Sequence, residues 1–307
     1  MNSISFSQAV DGFLLAANAR HLSQHTIKDY LTTFRKFHVF LDDDPPISAI
    51  TAKHVEAFLA AQEVSNKTVL NYHIGLSALW TWCVKEELVN EHILHKVERP
   101  KPEKRQIKPY TQTEVKDMLA SLTHSRFYSR PGKRESNHSL RNAERNRAMI
   151  YLLLDTGVRA SELSNLHIHH VNVRNRTIMV MGKGNKERII PFSARTGQVL
   201  WRYLAQRKGD SAGDFLFVTE EGRRLERTRI LRIIQVIGER AGVYGANVHR
   251  FRHTFAINYL RNGGDAYSLQ LMLGHSTMEM VKNYLDIVQG DLEKNHKIAS
   301  PVDNWRL

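Results

Sequence analysis

A proline-rich and strongly basic segment divides the chain into two parts with different residue patterns. Residues 98–109 read ERPKPEKRQIKP, with three prolines, five basic residues and little to bury. Proline ends helices and keeps such a segment extended. The sequence therefore predicts a first domain over residues 1–98, a linker over 99–110 and a second domain from residue 111. A solvated connector without a contact role is the alternative for the linker.

The first part repeats apolar residues at helical spacing. In its opening segment, for example, Phe6, Val10, Phe13, Leu14 and Ala17 fall on one face. Four such segments in about ninety residues predict a small helical bundle. The predicted helices cover residues 5–18, 23–41, 51–61 and 65–88.

The second part mixes helical and strand patterns. Its second domain is predicted to run over 111–288, with a tail over 289–307 for contact with a neighbouring protomer or for docking on its own chain. The polar stretch 125–144 is predicted to be a loop. The fold class expected is mainly α with a small antiparallel β-sheet. Helices are predicted at 113–122, 148–156, 196–208, 228–241, 249–262, 266–273 and 277–288, and strands at 167–173, 177–181, 188–191 and 215–219.

The charge balance favours a polyanionic partner. The 307 residues carry 44 Lys and Arg against 31 Asp and Glu, a formal charge of +13, and nucleic acid is the commonest partner at such a balance. The single cysteine, Cys83, excludes a disulfide framework and favours a reduced, cytoplasmic protein. No apolar run is long enough to span a bilayer, so no membrane role is expected.

Five residues of the second part suit attack on a phosphodiester. Arg159 and Arg252 can hold the non-bridging oxygens in a bidentate way, and their fixed charge stabilises the transition state more than the ground state. His249 and His275 can move protons near neutral pH. Tyr284 can become a covalent nucleophile once its proton is removed. This chemistry needs no metal.

The motifs that surround these residues resemble the tyrosine recombinase (phage integrase) family. They are TGVRASEL at 156–163, GKGNK at 182–186, HRFRH at 249–253, LGH at 273–275 and Tyr284, nine residues later. The chain resembles the two-domain members, of the Xer or mobile-element type. The resemblance covers the whole chain and implies a SAM-like core-binding domain followed by an α+β catalytic domain, without an additional arm-binding domain.

The resemblance also implies roles. Arg159 and Arg252 clamp the scissile phosphate, and Lys183 protonates the leaving 5′ oxygen, with Lys186 as its competitor. His249 shuttles protons, whereas His253 is interpreted as a packing or capping residue. Glu162 is a supporting carboxylate that tempers the positive charge, His275 hydrogen-bonds the phosphate and Tyr284 is the nucleophile.

The reaction implied is site-specific cleavage and rejoining of double-stranded DNA. It proceeds through a 3′-phosphotyrosyl bond and a Holliday junction in a tetramer, without ATP. No cofactor is expected, and the histidine run at 167–170 lacks the carboxylate or cysteine pattern of a metal site. The alternatives are a type IB topoisomerase and a DNA-binding regulator with an inactive site. The target sequence and the choice among chromosome dimer resolution, transposition and phage integration stay open.

Basic and polar side chains outside the site are candidates to contact DNA. Each is also compatible with simple solvation. The candidates are Lys28, Arg35, Lys36, Lys67, Asn71 and His73 in the first domain, Lys101, Lys104 and Arg105 in the linker, and Lys186.

Overall fold

A computed structural model of the chain describes residues 4–103, 108–122, 142–182, 186–207 and 213–305. The chain forms two compact units, residues 1–106 and residues 107–307. Lys104, Arg105 and Lys183 lie outside the described residues, as does the predicted loop at 125–144 up to residue 141.

Residues 4–103 of the first unit contain four α-helices. Each helix follows a serine or threonine at its N-cap, and the hydroxyls of Ser5, Ser23 and Ser65 accept a hydrogen bond from a backbone N–H in the first turn. These caps explain why the predicted starts agree with the structure to within one residue. The helices are α1 (Phe6–Ala19), α2 (Gln24–Leu41), α3 (Ala52–Ala60) and α4 (Asn66–Lys85).

Aromatic side chains fill the core of the first unit. Phe37 is fully buried and makes edge contacts with the rings of Phe6, Phe58 and Trp80. Such pairs add to the stabilisation that burial of the rings supplies. Cys83 is also buried, and burial raises the pKa of its thiol to about 12. It is therefore core filler, as the apolar helical pattern around it indicates.

The described part of the second unit contains nine α-helices and a three-stranded antiparallel sheet in the order β1-β2-β3. The helices are α5 (Gln112–Ala120), α6 (Ala143–Thr156), α7 (Ala160–Ser164), α8 (Ala194–Ala205), α9 (Arg227–Ala241), α10 (Val248–Arg261), α11 (Ala266–Leu273), α12 (Glu279–Ala299) and α13 (Pro301–Trp305). The strands are β1 (Val171–Asn172), β2 (Thr177–Met181) and β3 (Glu187–Pro191).

The predicted fold class, mainly helical with a small antiparallel sheet, is confirmed. Two predicted strands were wrong in detail. Residues 168–170 form a 3₁₀ turn that leaves only two residues for β1, and 215–219 makes isolated bridges to His167 and Arg224. The last predicted helix also continues well beyond residue 288, to Ala299.

Two hydrophobic clusters position the site in the second unit. The larger one surrounds α6, most of whose apolar side chains are fully buried, and α6 packs against α8 and α10. The smaller one joins α10, α11 and α12 and includes the ring of Tyr284. No helix of the described ranges combines the length and apolar character needed to cross a bilayer.

Candidate active site

Arg159 is positioned by a tight turn between α6 and α7. Gly157 ends α6 with a positive φ of 62°, and a Cβ there would lie 2.6 Å from the ring of Phe255 and 2.9 Å from Leu273. Only glycine fits both the backbone conformation and this close approach. Two residues later, the backbone N–H of Arg159 donates to the Glu162 carboxylate at 2.8 Å, which fixes the start of α7.

Arg252 lies on α10 and is almost completely buried, with 4% of its surface exposed. Its guanidinium donates to the carbonyl of Gly157 at 2.8 Å, to the carbonyl of Leu273 at 2.7 Å and to His275 Nε2 at 2.8 Å. Burial, together with the nearby charge of Arg159, lowers the pKa of Arg252 to about 10. The side chain therefore remains charged at neutral pH.

His275 follows the glycine that ends α11. Its Nε2 accepts from Arg252, so the neutral ring carries its proton on Nδ1. Burial and then the charges of Arg252 and Arg159 lower the pKa of His275 to about 4, which keeps the ring neutral at pH 7. Nδ1 is buried and has no hydrogen-bond partner among the described residues. This N–H is thus a buried donor without a partner among the described residues.

Arg188, on β3, is a site residue that the sequence interpretation missed. It donates both terminal nitrogens to the Glu162 carboxylate, at 3.0 and 2.8 Å, and Arg159 donates to the same carboxylate at 2.9 Å. Burial alone would raise the pKa of Glu162, but the hydrogen bonds and charges of the two arginines outweigh it and lower the pKa. Glu162 therefore stays ionised and links β3 to α7.

Three arginines share the C-terminal end of α11. Arg188 Nε donates to the carbonyl of Met272 at 2.9 Å, Arg252 to that of Leu273 at 2.7 Å and Arg159 to that of Gly274 at 3.4 Å. The C-terminal end of a helix carries partial negative charge, which favours cations. These carbonyls therefore oppose the mutual repulsion of the three guanidinium groups.

Tyr284 projects from α12 into this cluster of arginines and histidines. Its side chain is buried, and its ring lies parallel to that of His275 with the centroids 6.3 Å apart. Burial raises the pKa of the phenol, although the charges of Arg252 and Arg159 act in the opposite direction. The phenol is therefore protonated at neutral pH, and attack on phosphorus needs a group that accepts its proton.

Helix α10 carries two histidines, His249 and His253, and they differ in their contacts. His253 Nδ1 lies 2.9 Å from the Tyr284 hydroxyl, a contact that the interpretation of His253 as a packing or capping residue did not include. His253 lies four residues after His249 on the same face of the helix, so spacing alone does not distinguish the two. His249 is exposed by comparison. The protein around it still removes part of its water, and this partial burial, followed by the charges of Arg252 and Arg159, lowers its pKa.

The structure places four of the six predicted catalytic residues in direct or shared contact. Arg159, Arg252 and His275 meet at the end of α11, and Tyr284 stacks against His275. His249 lies within electrostatic range of the arginines. Lys183 is outside the described residues. Its competitor Lys186 is exposed, and its carbonyl accepts from the N–H of Gly182 at 2.8 Å, which closes the hairpin.

The candidate DNA contacts of the first unit divide into exposed and buried residues. Those with exposed side chains are Lys28, Arg35, Lys36, Lys67 and Asn71, and Lys101 in the basic segment is exposed as well. His73 is 8% exposed, and burial lowers its pKa. The expectation that His73 lies on a polar surface was therefore wrong, since its ring fills space beside the core.

Comparisons with known proteins agree with this geometry. Residues 133–289 match the phage integrase family, and residues 10–90 match the phage integrase N-terminal SAM-like domain. The tyrosine recombinase XerC of Mycobacterium sp. (strain JLS) is 27% identical over 308 residues, which cover 97% of this chain and 99% of that protein.

Solved structures show the same fold. The Tn1549 transposon integrase in complex with transposon right end DNA has a TM-score of 0.74 at 18% identity and covers 93% of this chain and 98% of that one. XerH site-specific recombinase, in a post-cleavage complex with a palindromic difH substrate, has a TM-score of 0.72 at 22% identity. That alignment covers 97% of this chain and 85% of the XerH chain.

Proposed function

The chain belongs to the phage integrase family and is a tyrosine recombinase, and from this we propose that it cleaves and rejoins specific DNA sites in the cytoplasm through a covalent 3′-phosphotyrosyl bond. The observation that carries the proposal is the arrangement of Tyr284 beside two fixed arginines. Arg252 is buried and held by carbonyls, and Arg159 is held by Glu162. Charges fixed before the substrate arrives stabilise a transition state most effectively.

The scissile phosphate lies between the two guanidinium groups in this proposal. Arg159 keeps 32% of its side chain exposed and can turn a face toward a phosphate, while the buried Arg252 supplies a second positive charge within electrostatic range. The unpaired N–H of His275 supplies a further donor to a non-bridging oxygen. As Tyr284 attacks, these donors receive the charge that gathers on the phosphate oxygens.

Lys183 is proposed to protonate the leaving 5′ oxygen. In the sequence it stands between β2 and β3, and β3 is tied to Glu162 through Arg188. His249, neutral at pH 7 and near both arginines, is proposed to assist proton movement at the phosphate. The phosphotyrosyl bond keeps the energy of the original phosphodiester, so rejoining needs neither ATP nor a metal ion.

Recombination of two duplexes requires four such cleavages, which we propose occur in a tetramer that passes through a Holliday junction. The XerH and Tn1549 integrase complexes with DNA support DNA as the partner. The segment after Tyr284 carries the exposed Val302 and Trp305 on α13, which suit a contact with a neighbouring protomer. The basic residues named above as candidate DNA contacts are proposed to contact phosphates.

A nicked duplex tests the chemistry. The cognate site is first recovered from a randomised duplex library by its binding to the Tyr284→Phe variant. A nick beside the cleavage position lets the short 5′-hydroxyl strand diffuse away and traps the covalent complex. Wild type is expected to form a protein–DNA adduct that resists denaturant, and Tyr284→Phe none. An equal yield from both proteins refutes the assignment of Tyr284.

Two further assays separate the proposed function from its alternatives. A plasmid that carries two intact cognate sites should give recombinant products, and a plasmid without the site should remain unchanged. Relaxation of a supercoiled plasmid without recombinants would instead indicate a topoisomerase. Binding without any covalent complex would indicate a regulator.

A further inference from the structure

The hydroxyl of Tyr284 has one hydrogen-bond partner among the described residues, and this partner is His253. Its Nδ1 lies 2.9 Å from the phenolic oxygen, and the two ring centroids are 5.7 Å apart at 53°. His253 directly follows Arg252 on α10, so the same helix fixes both the guanidinium and the imidazole. The roles predicted from the sequence use His249 and His275 but leave this contact without a role.

We propose that His253 is the general base that accepts the phenolic proton of Tyr284 during DNA cleavage. The proposal rests on the function proposed above, since it assigns the proton acceptor for that nucleophile. His253 touches the reacting oxygen itself and is therefore assigned as a catalytic residue and not as a positioning residue.

The contacts of the three candidate histidines support this assignment. Nε2 of His275 is already occupied by Arg252, and its other nitrogen carries a proton, so neither can accept. His249 is exposed and lies one helical turn before His253. His253 alone of the three places a ring nitrogen within hydrogen-bond distance of the Tyr284 hydroxyl.

The charges around His253 keep it able to accept a proton. Burial, followed by His249 and Arg252 on its own helix, lowers the pKa of His253. Tyr284 faces it from α12, and His275, itself neutral at pH 7, stacks on the ring of the same tyrosine. The imidazole is therefore neutral at pH 7. Its own proton is on Nε2, and the lone pair of Nδ1 can accept the phenolic proton.

The proton balance of the step is simple. As the Tyr284 oxygen bonds to phosphorus, its O–H bond breaks and an N–H bond forms at His253 Nδ1. The bond from phosphorus to the 5′ oxygen breaks, and that oxygen takes a proton from the acid proposed above, Lys183. Rejoining reverses each transfer, so the imidazolium of His253 returns its proton to the departing tyrosine.

Single-turnover cleavage of the nicked duplex by three proteins tests the proposal. His253→Phe keeps a ring but has no acceptor, and we expect a loss of roughly 100-fold or more in the cleavage rate at pH 7, as general bases typically supply. His253→Asn places an amide oxygen near the position of Nδ1 and should recover the orientation of the hydroxyl but not the proton transfer. Its cleavage rate is therefore expected to lie between those of wild type and His253→Phe, and all three proteins should bind DNA with the same affinity.

The pH dependence distinguishes a base from a structural residue. For wild type, the rate should rise as His253 loses its proton and then level off. For His253→Phe, the rate should keep rising about tenfold per pH unit, because hydroxide must then remove the phenolic proton. If His253→Phe retains the wild-type profile, or if His249→Phe and not His253→Phe shows the continuing rise, the assignment is wrong.

A measurement without DNA separates this proposal from the proposed function. Long-range ¹H–¹⁵N spectra of the histidine side chains report which ring nitrogen is protonated. His253 should have an unprotonated, hydrogen-bonded Nδ1, and its resonance should shift when Tyr284 is changed to phenylalanine. An unchanged resonance overturns the contact. If this shift occurs but wild type traps no covalent complex, the proposed function fails even though the contact exists.

Discussion

Replacing Arg188 with methionine removes one side of a buried ion pair while keeping an unbranched apolar stem. The Glu162 side chain is 4% exposed and that of Arg188 is 13% exposed, so water screens their interaction only weakly. Three hydrogen bonds disappear, two to the Glu162 carboxylate and one to the carbonyl of Met272.

The structure sets the size of the expected loss. Removing the only partner of a buried charge costs about 3–5 kcal/mol. Glu162 keeps two of its four hydrogen bonds, from the backbone N–H and the guanidinium of Arg159. We therefore expect the free energy of unfolding to fall by roughly 2–3 kcal/mol, including the lost carbonyl contact. For a unit of this size, that corresponds to a melting temperature lower by roughly 4–12 °C.

The loss should depend on pH in a defined direction. The folded-state pKa of Glu162 lies below the ordinary 4.5, so its ion pairs stabilise the fold above that value. This stabilisation disappears as pH falls through the lower, folded-state pKa. The difference between wild type and Arg188→Met should therefore be largest near neutral pH and shrink in acid.

Arg224→Met is the matched control. Arg224 also makes a two-point contact with a carboxylate, that of Glu226, but the side chains are 36% and 60% exposed. Exposed pairs contribute about 0–1 kcal/mol. Calorimetry of the full chain compares the two variants, and Glu162→Gln completes a double-mutant cycle. A loss for Arg188→Met no larger than that for Arg224→Met would refute the reasoning.

Three further predictions follow from the same structure. Gly157→Ala should destabilise the fold by roughly 2–4 kcal/mol in urea denaturation, because a Cβ meets both a left-handed backbone and two packed side chains. Arg252→Lys should reduce the rate of covalent-complex formation by at least about 100-fold in the nicked-duplex assay, because a single ammonium cannot replace the planar fork. In binding titrations over a range of salt concentrations, Lys67→Ala should reduce the slope of log affinity against log salt concentration by about one. The substitution of the buried His73 in His73→Phe should leave this slope unchanged.

Local signals were sufficient for most of the helices. Periodicity and hydroxyl N-caps located α1 to α4, and the predicted bounds of α11 agree with the structure. The strand predicted at 167–173 failed because alternation of polar and apolar residues over so few positions does not distinguish a strand from a 3₁₀ turn. The prediction ended α12 at residue 288, whereas the helix continues to Ala299. Gly290 lies in its interior, where a glycine weakens a helix without ending it.

The identities of the site residues were easier to predict than their contacts. Arg159, Arg252, His275 and Tyr284 stand in motifs that a reader of the sequence can find. Arg188 is twenty-six residues from Glu162, and no local pattern indicates that β3 passes beside α7. His253 was overlooked for another reason, since α10 carries two histidines on one face and only packing decides which of them meets α12.

The three arginines at the end of α11 bind backbone carbonyls of this helix and not its side chains. Arg188, Arg252 and Arg159 bind peptide oxygens of residues 272–274, so paired substitutions in an alignment would not reveal these contacts. What must be preserved is the place where the helix stops. An insertion or deletion of one residue in α11 rotates its last carbonyls by about 100°. We infer that evolution can vary the residues of this helix more freely than its length.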